Sequence, residues 1–241
     1  MNEVIQQIRS HRSIRRYTDD PVTREQLESI IAAAQAASTS SYLQAASIIR
    51  VTDPEKRSRL VELSGGQPWV GKAPEFLVWC ADFHRHRQLF PEARLGYTEL
   101  LLISVIDTAL MAQNALLAAE SLGLGGLFIG GLRNHPDGVA DLLELPLHVA
   151  PLFGMCLGHP AEDPILRPRL PQALILHENC YNPDLDHELL AGYDEEVRHY
   201  YAGRAGADRV TGWSEQVQET LSREARPHMR DFLQSRGFGL K

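Results

Sequence analysis

The residues best suited to chemistry form one run near the amino terminus, His11-Arg12-Ser13-Ile14-Arg15-Arg16. A guanidinium is a rigid fork of donors that suits phosphate, and a hydroxyl with free backbone N–H groups can complete such a cradle. The competing reading is a solvated basic turn closing the first helix, the commoner fate of an isolated charge run. Ser38-Thr39-Ser40-Ser41 offers hydroxyls that could serve a ligand, although a plain polar loop is the reading that sequence favours. Gly66 and Gly71-Lys72 fit G-x-x-x-x-G-K, but Ala73 stands where a phosphate loop needs Ser or Thr. A strand-like run, Phe76 to Cys80, then follows where a helix is required, so that reading is rejected.

Two further stretches bear on the same chemistry. In Gly123-Leu124-Gly125-Gly126-Leu127-Phe128, phenylalanine occupies the last glycine position of a dinucleotide fingerprint, and the glycines follow a helix rather than a strand. Gly130-Gly131 beyond them lets backbone approach something flat or bulky, or simply turns the chain at a strand end. Leu166-Arg167-Pro168-Arg169-Leu170-Pro171 is extended by its prolines, and a period of two puts Arg167 and Arg169 on one side. His84-Arg85-His86-Arg87 lacks further ligands at metal spacing and is taken as a solvated face; no metal site is expected. No Ser-His-Asp order, paired carboxylates or zinc motif is present, a pattern that suits an enzyme whose cofactor carries the chemistry.

The elements that must position these residues follow from periodicity and punctuation. Val4 to Ser10 reads as a short helix. Thr23 with Gln26 makes a capping box for a helix bearing Leu27, Ile30, Ile31 and Ala34 on one face. Ser47 to Val51 is a strand, and Asp53-Pro54 opens another helix. Glu99 to Leu122 is the longest helix and is apolar nearly all round, so it is expected to be buried on every side, near the core of a homodimer. Leu127 to Ile129, Pro151 to Leu157 and Ala173 to Leu176 read as strands, Pro136 to Leu145 as a helix, and the chain beyond Tyr181 as polar and helical.

Composition narrows the function. The chain has 241 residues and a formal net charge of −7, which argues against a general nucleic-acid or membrane-surface binder. Its three cysteines, Cys80, Cys156 and Cys180, form no C-x-x-C, so a reduced setting is expected. Met1 to Ser10 lacks the apolar core of a secretory leader, and Asp107, Gln113, Asn114 and Glu120 interrupt the longest apolar segment, so a cytoplasmic protein is expected.

Taken together, several segments resemble one family: His11-Arg12-Ser13-Ile14-Arg15, Ser64-Gly65-Gly66-Gln67, Ala112-Gln113-Asn114-Ala115, Glu120 to Gly126, Ile129-Gly130-Gly131-Leu132-Arg133-Asn134 and Arg167-Pro168-Arg169-Leu170-Pro171. Their order and spacing resemble the oxygen-insensitive NADPH nitroreductases of the major type, which include the NADPH–FMN oxidoreductase of luminous bacteria. The resemblance runs over essentially the whole chain, including Tyr200-Tyr201 and Glu224-Ala225-Arg226-Pro227.

The resemblance implies an α+β sandwich, a central mixed sheet flanked by helices, in an intertwined homodimer. It implies a single domain over residues 1–241, with 160–241 a C-terminal extension contacting the partner subunit. It implies non-covalent FMN, with Arg12, Ser13, Arg167 and Arg169 at the phosphate and His11, Ile14 and Arg15 along the ribityl chain and ring. Gln67 would meet the ribityl or ring edge, and Thr39 and Ser41 the pyrimidine side. Phe128, Ile129, Gly130 and Gly131 would run along the ring, with the Gly130 N–H near flavin N5 and no side-chain acid or base. Arginine at 167 and threonine at 39 depart from the usual lysine and serine but keep charge and hydroxyl.

The activity so implied is two-electron, ping-pong hydride transfer from NADPH to nitroaromatics, quinones or similar flat acceptors. Arg204, assisted by Arg209, would hold the extra phosphate of NADPH, and Arg133 and Arg226 would line the acceptor side. These late arginines could equally form surface ion pairs. Alternatives are a flavin reductase supplying reduced FMN, a non-catalytic flavin-storage protein and, more remotely, a reductive dehalogenase.

Overall fold

Apolar residues alternate between the two faces of a sheet whose both sides must then be covered, and that requirement builds the fold. The computed structural model describes residues 2–203 and 210–241. Two compact units divide the chain, residues 1–163 with 226–241, and residues 164–225.

In the first unit the elements run α1 (Glu3–Arg9), α2 (Arg24–Gln35), β1 (Ala46–Arg50), α3 (Pro54–Leu63), α4 (Pro68–Lys72), β2 (Glu75–Asp82), α5 (His84–Leu89), α6 (Thr98–Ser121), β3 (Gly125–Ile129), α7 (Pro136–Leu142) and β4 (Val149–Gly158). The strands lie in the order β1-β2-β4-β3, and every pairing among them is antiparallel. The expected mixed character is confined to one parallel bridge, Ser13 to Gly126, at the outer edge of β3. Phe76, Val78 and Cys80 of β2 point into one cluster with Leu60, Leu132 and Val139, whereas Leu77 and Trp79 point into another with Ile30, Ala112 and Leu116. Pro151 sits in an interior strand, where it has no N–H to give the ladder; the register shifts beside its partner Cys80, as a bulge there requires.

Local signals set the helix ends. Thr23 Oγ1 accepts from Gln26 N at 3.1 Å and Gln26 Oε1 from Thr23 N at 2.9 Å, completing the capping box. Asp53 caps α3 with Pro54 in its first turn. Gly123, at φ +78°, turns the chain out of α6 into β3. The strand expected at Ala173 to Leu176 is instead a single 3-10 turn, Gln172–Leu174, started by Pro171. Among the described residues no strand pairs with it, and Ile175 and Leu176 stand exposed.

α6 is long and apolar enough to cross a membrane, with mean hydropathy 1.7, but it packs on α2 and the sheet. Its buried face carries Ser104, Asp107 and Thr108, while Leu102, Val105, Ile106 and Leu110 are exposed. The chain therefore buries one side of this helix and leaves an apolar face open. The basic run at 84–87 forms α5, which has no buried residue, as a solvated face requires, but Arg85 and His86 also turn back onto backbone between Leu43 and Ala46.

The last residues return to the first unit as α10, introduced after the two helices of the second unit, α8 (His187–Ala202) and α9 (Trp213–Leu221); α10 spans Met229–Ser235. Arg236 donates to the Val149 carbonyl at 3.1 Å and to those of Leu145 and Pro146. In the second unit Tyr193 and Val197 of α8 are buried, Tyr193 packs on Trp213 with centroids 6.0 Å apart, and Arg198 pairs with Glu195 and Glu215.

Cys80 and Cys156 lie inside the first unit's core, and burial pushes both thiols up to about 12 from an ordinary 9.0. Cys180 is exposed. A thiol reagent at pH 8 should therefore label Cys180 alone in folded protein and all three cysteines in denaturant, and native labelling of the buried pair would contradict the packing. Because the folded-state values are raised, the unfolded chain loses its thiol protons first. Unfolding free energy should hold below pH 9 and fall as pH rises from 9 toward 12, by up to about 1.4 kcal/mol per pH unit for each thiol.

Candidate functional site

The basic run does not close a helix as a turn; it lies extended along the free edge of β3. Ile14 N donates to the Gly126 carbonyl at 3.0 Å, and Ile14 is buried. Two glycines make room: a Cβ on Gly125 would lie 2.5 Å from Ile14 Cγ1, and one on Gly126 would lie 2.6 Å from the Cys156 carbonyl oxygen. The Tyr17 hydroxyl donates to the Ile14 carbonyl at 2.6 Å, and burial, with smaller contributions from Cys156 and Glu162, raises its pKa.

Three carboxylates hold this segment. His11 Nδ1 meets Glu120 Oε1 at 2.5 Å, Glu162 accepts from Arg15 N at 2.5 Å and Arg16 N at 3.1 Å, and Arg12 pairs with Asp163 at 3.4 Å. Glu162 thus spends itself on backbone, leaving the Arg15 guanidinium 5.9 Å from the centre of the Trp69 ring. Among the described residues Arg12 Nε is buried with no partner, an uncompensated donor. A cavity of about 200 Å³ adjoins it, lined by Arg12, Ile14, Glu120, Glu162 and Asp163.

A second cluster gathers where β3 ends, four residues and roughly 13 Å of extended chain away from Gly126. Gly131 is packed against the Ser64–Gln67 turn so closely that a Cβ there would lie 2.4 Å from both the Ser64 carbonyl oxygen and Gln67 Nε2. The close approach that its glycine permits is therefore to this turn. Gln67 Nε2 donates to Ser64 O at 3.2 Å and Trp69 Nε1 to Gln67 Oε1 at 3.0 Å. Asn134 Nδ2 donates to the same carbonyl at 3.3 Å, and Asn134 Oδ1 accepts from Arg226 Nε at 2.9 Å. Arg133 donates to the Leu152 carbonyl at 2.5 Å; burial lowers its pKa, and the neighbouring Arg226 charge adds to that. Arg226 itself has φ +50°, a strained backbone at the point where the chain rejoins this unit. Phe128 is exposed and meets Phe153 edge-on at 5.4 Å, and Ile129 is buried.

Thr39 and Ser41 sit on a third element, a short turn whose Ser40 N donates to Asp107 Oδ1 at 3.0 Å. A cavity of about 540 Å³, lined by Ile31, Thr39, Leu43, Arg85, His86 and Met111 among others, adjoins this turn. Arg167 and Arg169 belong to the second unit. There Arg167 donates to the Tyr201 hydroxyl at 2.9 Å and lies 5.7 Å from its ring centre, and Arg169 donates to the carbonyls of Arg167 and Pro168 at 3.0 and 3.3 Å. Arg204 and Arg209 lie outside the described residues.

The first unit thus brings Arg15, Gln67, Gly131, Arg133 and Arg226 into one contact chain, through residues that the sequence did not single out for a role. Trp69 and Asn134 are the links, Glu120 and Glu162 anchor the basic run, and Asp107 anchors the separate Ser40 turn. Trp69, two residues beyond Gln67, was the one with a visible signal, a large aromatic beside a polar turn. Among the described residues no group of three His, Cys, Asp or Glu side chains converges as metal ligands. The cluster presents donors in excess, an arrangement able to hold an elongated anion and to place backbone against a flat group.

Comparison with known proteins gives the chain relatives along its whole length. The family pattern described as "Nitroreductase family" matches residues 8–159, and that described as "Nitroreductase family, C-terminal domain" matches residues 167–241. The chain is 53% identical to the oxygen-insensitive NADPH nitroreductase of Salmonella typhimurium over 100% of both chains. It is 48% identical to the NADPH-flavin oxidoreductase of Vibrio harveyi over 98% of each. The crystal structure of nitroreductase A from Vibrio parahaemolyticus superposes with a TM-score of 0.95 at 49% identity, covering 100% of both chains.

The packing at Gly131 is testable without any ligand. Gly131→Ala must displace the Ser64 carbonyl and should cost about 1–3 kcal/mol of unfolding free energy. Gly66→Ala, at φ +77° with nothing within 4 Å of its Cβ position, should cost only the local strain, about 1 kcal/mol. Equal losses in urea denaturation would contradict the close approach at Gly131.

Proposed function

The chain belongs to the nitroreductase family, and we propose that it is an FMN-containing, NADPH-dependent oxidoreductase that reduces nitroaromatics, quinones or similar flat acceptors. The observation that carries this reading is the donor set along β3, with the buried Arg12 Nε, which has no partner among the described residues, at one end and the Gln67–Gly131 cluster at the other. A phosphorylated, elongated cofactor with a flat ring fits those two ends. When bound, FMN supplies two-electron hydride transfer between NADPH and the acceptor.

Arg12 and Ser13, with Arg167 and Arg169, hold the phosphate. Charge-assisted hydrogen bonds of this type contribute about 1.5–3 kcal/mol each. His11, fixed by Glu120, and Arg15, resting over Trp69, serve the ribityl chain and ring, and buried Ile14 keeps the segment on the sheet. Gln67 serves the ring edge, Thr39 and Ser41 the pyrimidine side, and Phe128 to Gly131 the ring face, with the Gly130 N–H serving N5. Arg133 and Arg226, adjacent and both partly buried, make the acceptor side positive and favour oxygen atoms on which negative charge develops. Arg204 and Arg209 hold the extra phosphate of NADPH.

The exposed Leu102, Val105, Ile106 and Leu110 on α6 support a homodimer, with residues 160–241 as an extension reaching the partner. The setting is the cytoplasm. A second reading, a reductase that hands out reduced free flavin, is favoured by the 48% identity to the Vibrio harveyi NADPH-flavin oxidoreductase. Turnover on free FMN against turnover on nitrofurazone separates the two.

The purified protein should show an oxidised-flavin absorption spectrum that bleaches promptly under anaerobic NADPH. A flavin spectrum that persists would mean a storage protein, and a colourless protein that takes up no FMN would overturn the cofactor assignment. Arg204→Ala should raise the KM for NADPH about 10- to 100-fold, the loss of one charged contact to phosphate, and leave the acceptor KM unchanged. Equal effects on both substrates would remove Arg204 from the NADPH site.

A further inference from the structure

The basic helix α5 has no part in the chemistry above, yet its contacts converge on one short stretch of strained backbone. Ser41, Tyr42 and Gln44 have φ +49°, +57° and +55°, the left-handed region that side chains disfavour. Such residues persist where their surroundings over-determine them. Here the loop is held from two sides. Asp107, buried on α6, accepts from Ser40 N at 3.0 Å. From α5, His86 Nε2 lies 2.8 Å from the Leu43 carbonyl oxygen, and Arg85 donates to the carbonyls of Gln44 at 3.1 Å and Ala46 at 2.8 Å.

The chemistry of both α5 residues is specific to this task. A carbonyl only accepts, so His86 Nε2 carries the proton and donates. The other ring nitrogen, Nδ1, is buried with no partner among the described residues, and Phe83 packs against the ring with centroids 5.0 Å apart. A leucine in that place would avoid the orphaned nitrogen, so what the imidazole contributes is the single bond to Leu43. Arg85 uses one end of its fork on the buried Asp82 carboxylate at 3.0 Å and the Ser47 hydroxyl at 2.8 Å, which orients the other end at the loop carbonyls. A lysine could pair with Asp82 but not span these acceptors.

We infer that Arg85 and His86 are positioning residues that hold the Ser41–Gln44 loop in its left-handed shape, and so set how Thr39, Ser41 and the exposed Tyr42 are presented to the flavin and its acceptor. The inference rests on the proposed flavin role of Thr39 and Ser41. The loop by itself would relax toward the ordinary right-handed or extended regions and carry both hydroxyls with it.

His86→Leu removes the donor, and His86→Gln keeps one near the Nε2 position. In FMN titrations of apo-protein, H86L should bind about tenfold more weakly than wild type, and H86Q within about twofold of it. Adding Gln44→Gly to H86L should recover most of the affinity, because glycine takes positive φ without a clamp. Amide exchange at Tyr42 and Leu43 should quicken in H86L and slow again in H86Q. A merely structural role would lower thermal stability in H86L with no recovery from Q44G. Wild-type affinity in H86L, or unchanged exchange at Tyr42 and Leu43, overturns the inference. Wild-type protein that takes up no FMN overturns the flavin reading itself, a result distinct from normal uptake by both wild type and H86L.

Discussion

The contact on which the rest depends is the backbone pairing of Ser13 and Ile14 with Gly126 at the edge of β3. It exists because Gly125 and Gly126 have no side chain on either face: one Cβ would strike Ile14, the other the Cys156 carbonyl and the Leu157 side chain. Once that edge is closed, Arg12 is held at one end of the strand, and Arg15 is directed along it toward Trp69. The strand's other end runs directly into Gly130 and Gly131. A five-residue strand thereby sets the spacing between the two donor clusters.

The electrostatics follow from how the acidic surplus is deployed. A chain with net charge −7 still presents positive charge along the basic run, because only Asp163, exposed and 3.4 Å from Arg12, pairs with a guanidinium there among the described residues, and two nearer carboxylates are committed elsewhere. Glu162 is bound to two backbone N–H groups and Glu120 to an imidazole, so neither neutralises a guanidinium. At the far end, Arg133 and Arg226 are kept close by hydrogen bonds to the Leu152 carbonyl and to Asn134, which offset part of their mutual repulsion. Fixed donors without matching acceptors are what an anionic ligand needs, since they require little reorganisation when it arrives.

α6 shows where pattern stops being informative. Its helical wheel is apolar nearly all round, which says that burial is wanted but not which face gets it. In the chain the buried face takes Ser104, Asp107 and Thr108, each with a defined backbone partner, and the exposed face keeps Leu102, Val105, Ile106 and Leu110. A polar residue can sit in the interior when a loop or a preceding turn supplies its partner. No sequence period encodes that supply, so Asp107 could not be singled out before the Ser40 N–H was seen beside it.

What the sequence by itself determined was everything local. The capping box at Thr23, the Asp53-Pro54 helix start and the rejection of a phosphate loop at Ala73 rest on residues within a few positions of one another, and the strands at β1, β2 and β4 were legible as apolar runs although their partners lie far off in the chain. The family was legible as well, since the order and spacing of its segments survive in one dimension. The fold decided what depends on distant partners. It made the basic run an extended edge segment, turned Arg85 and His86 of the 84–87 run onto Leu43 and Gln44, and made Ala173 to Leu176 a turn for want of a neighbouring strand. It also spent the Gly131 approach on Ser64. The physical reason is the same in each case: a donor, a carboxylate or a missing Cβ acquires its meaning from the atom placed opposite it, and that atom lies tens of residues away in the chain.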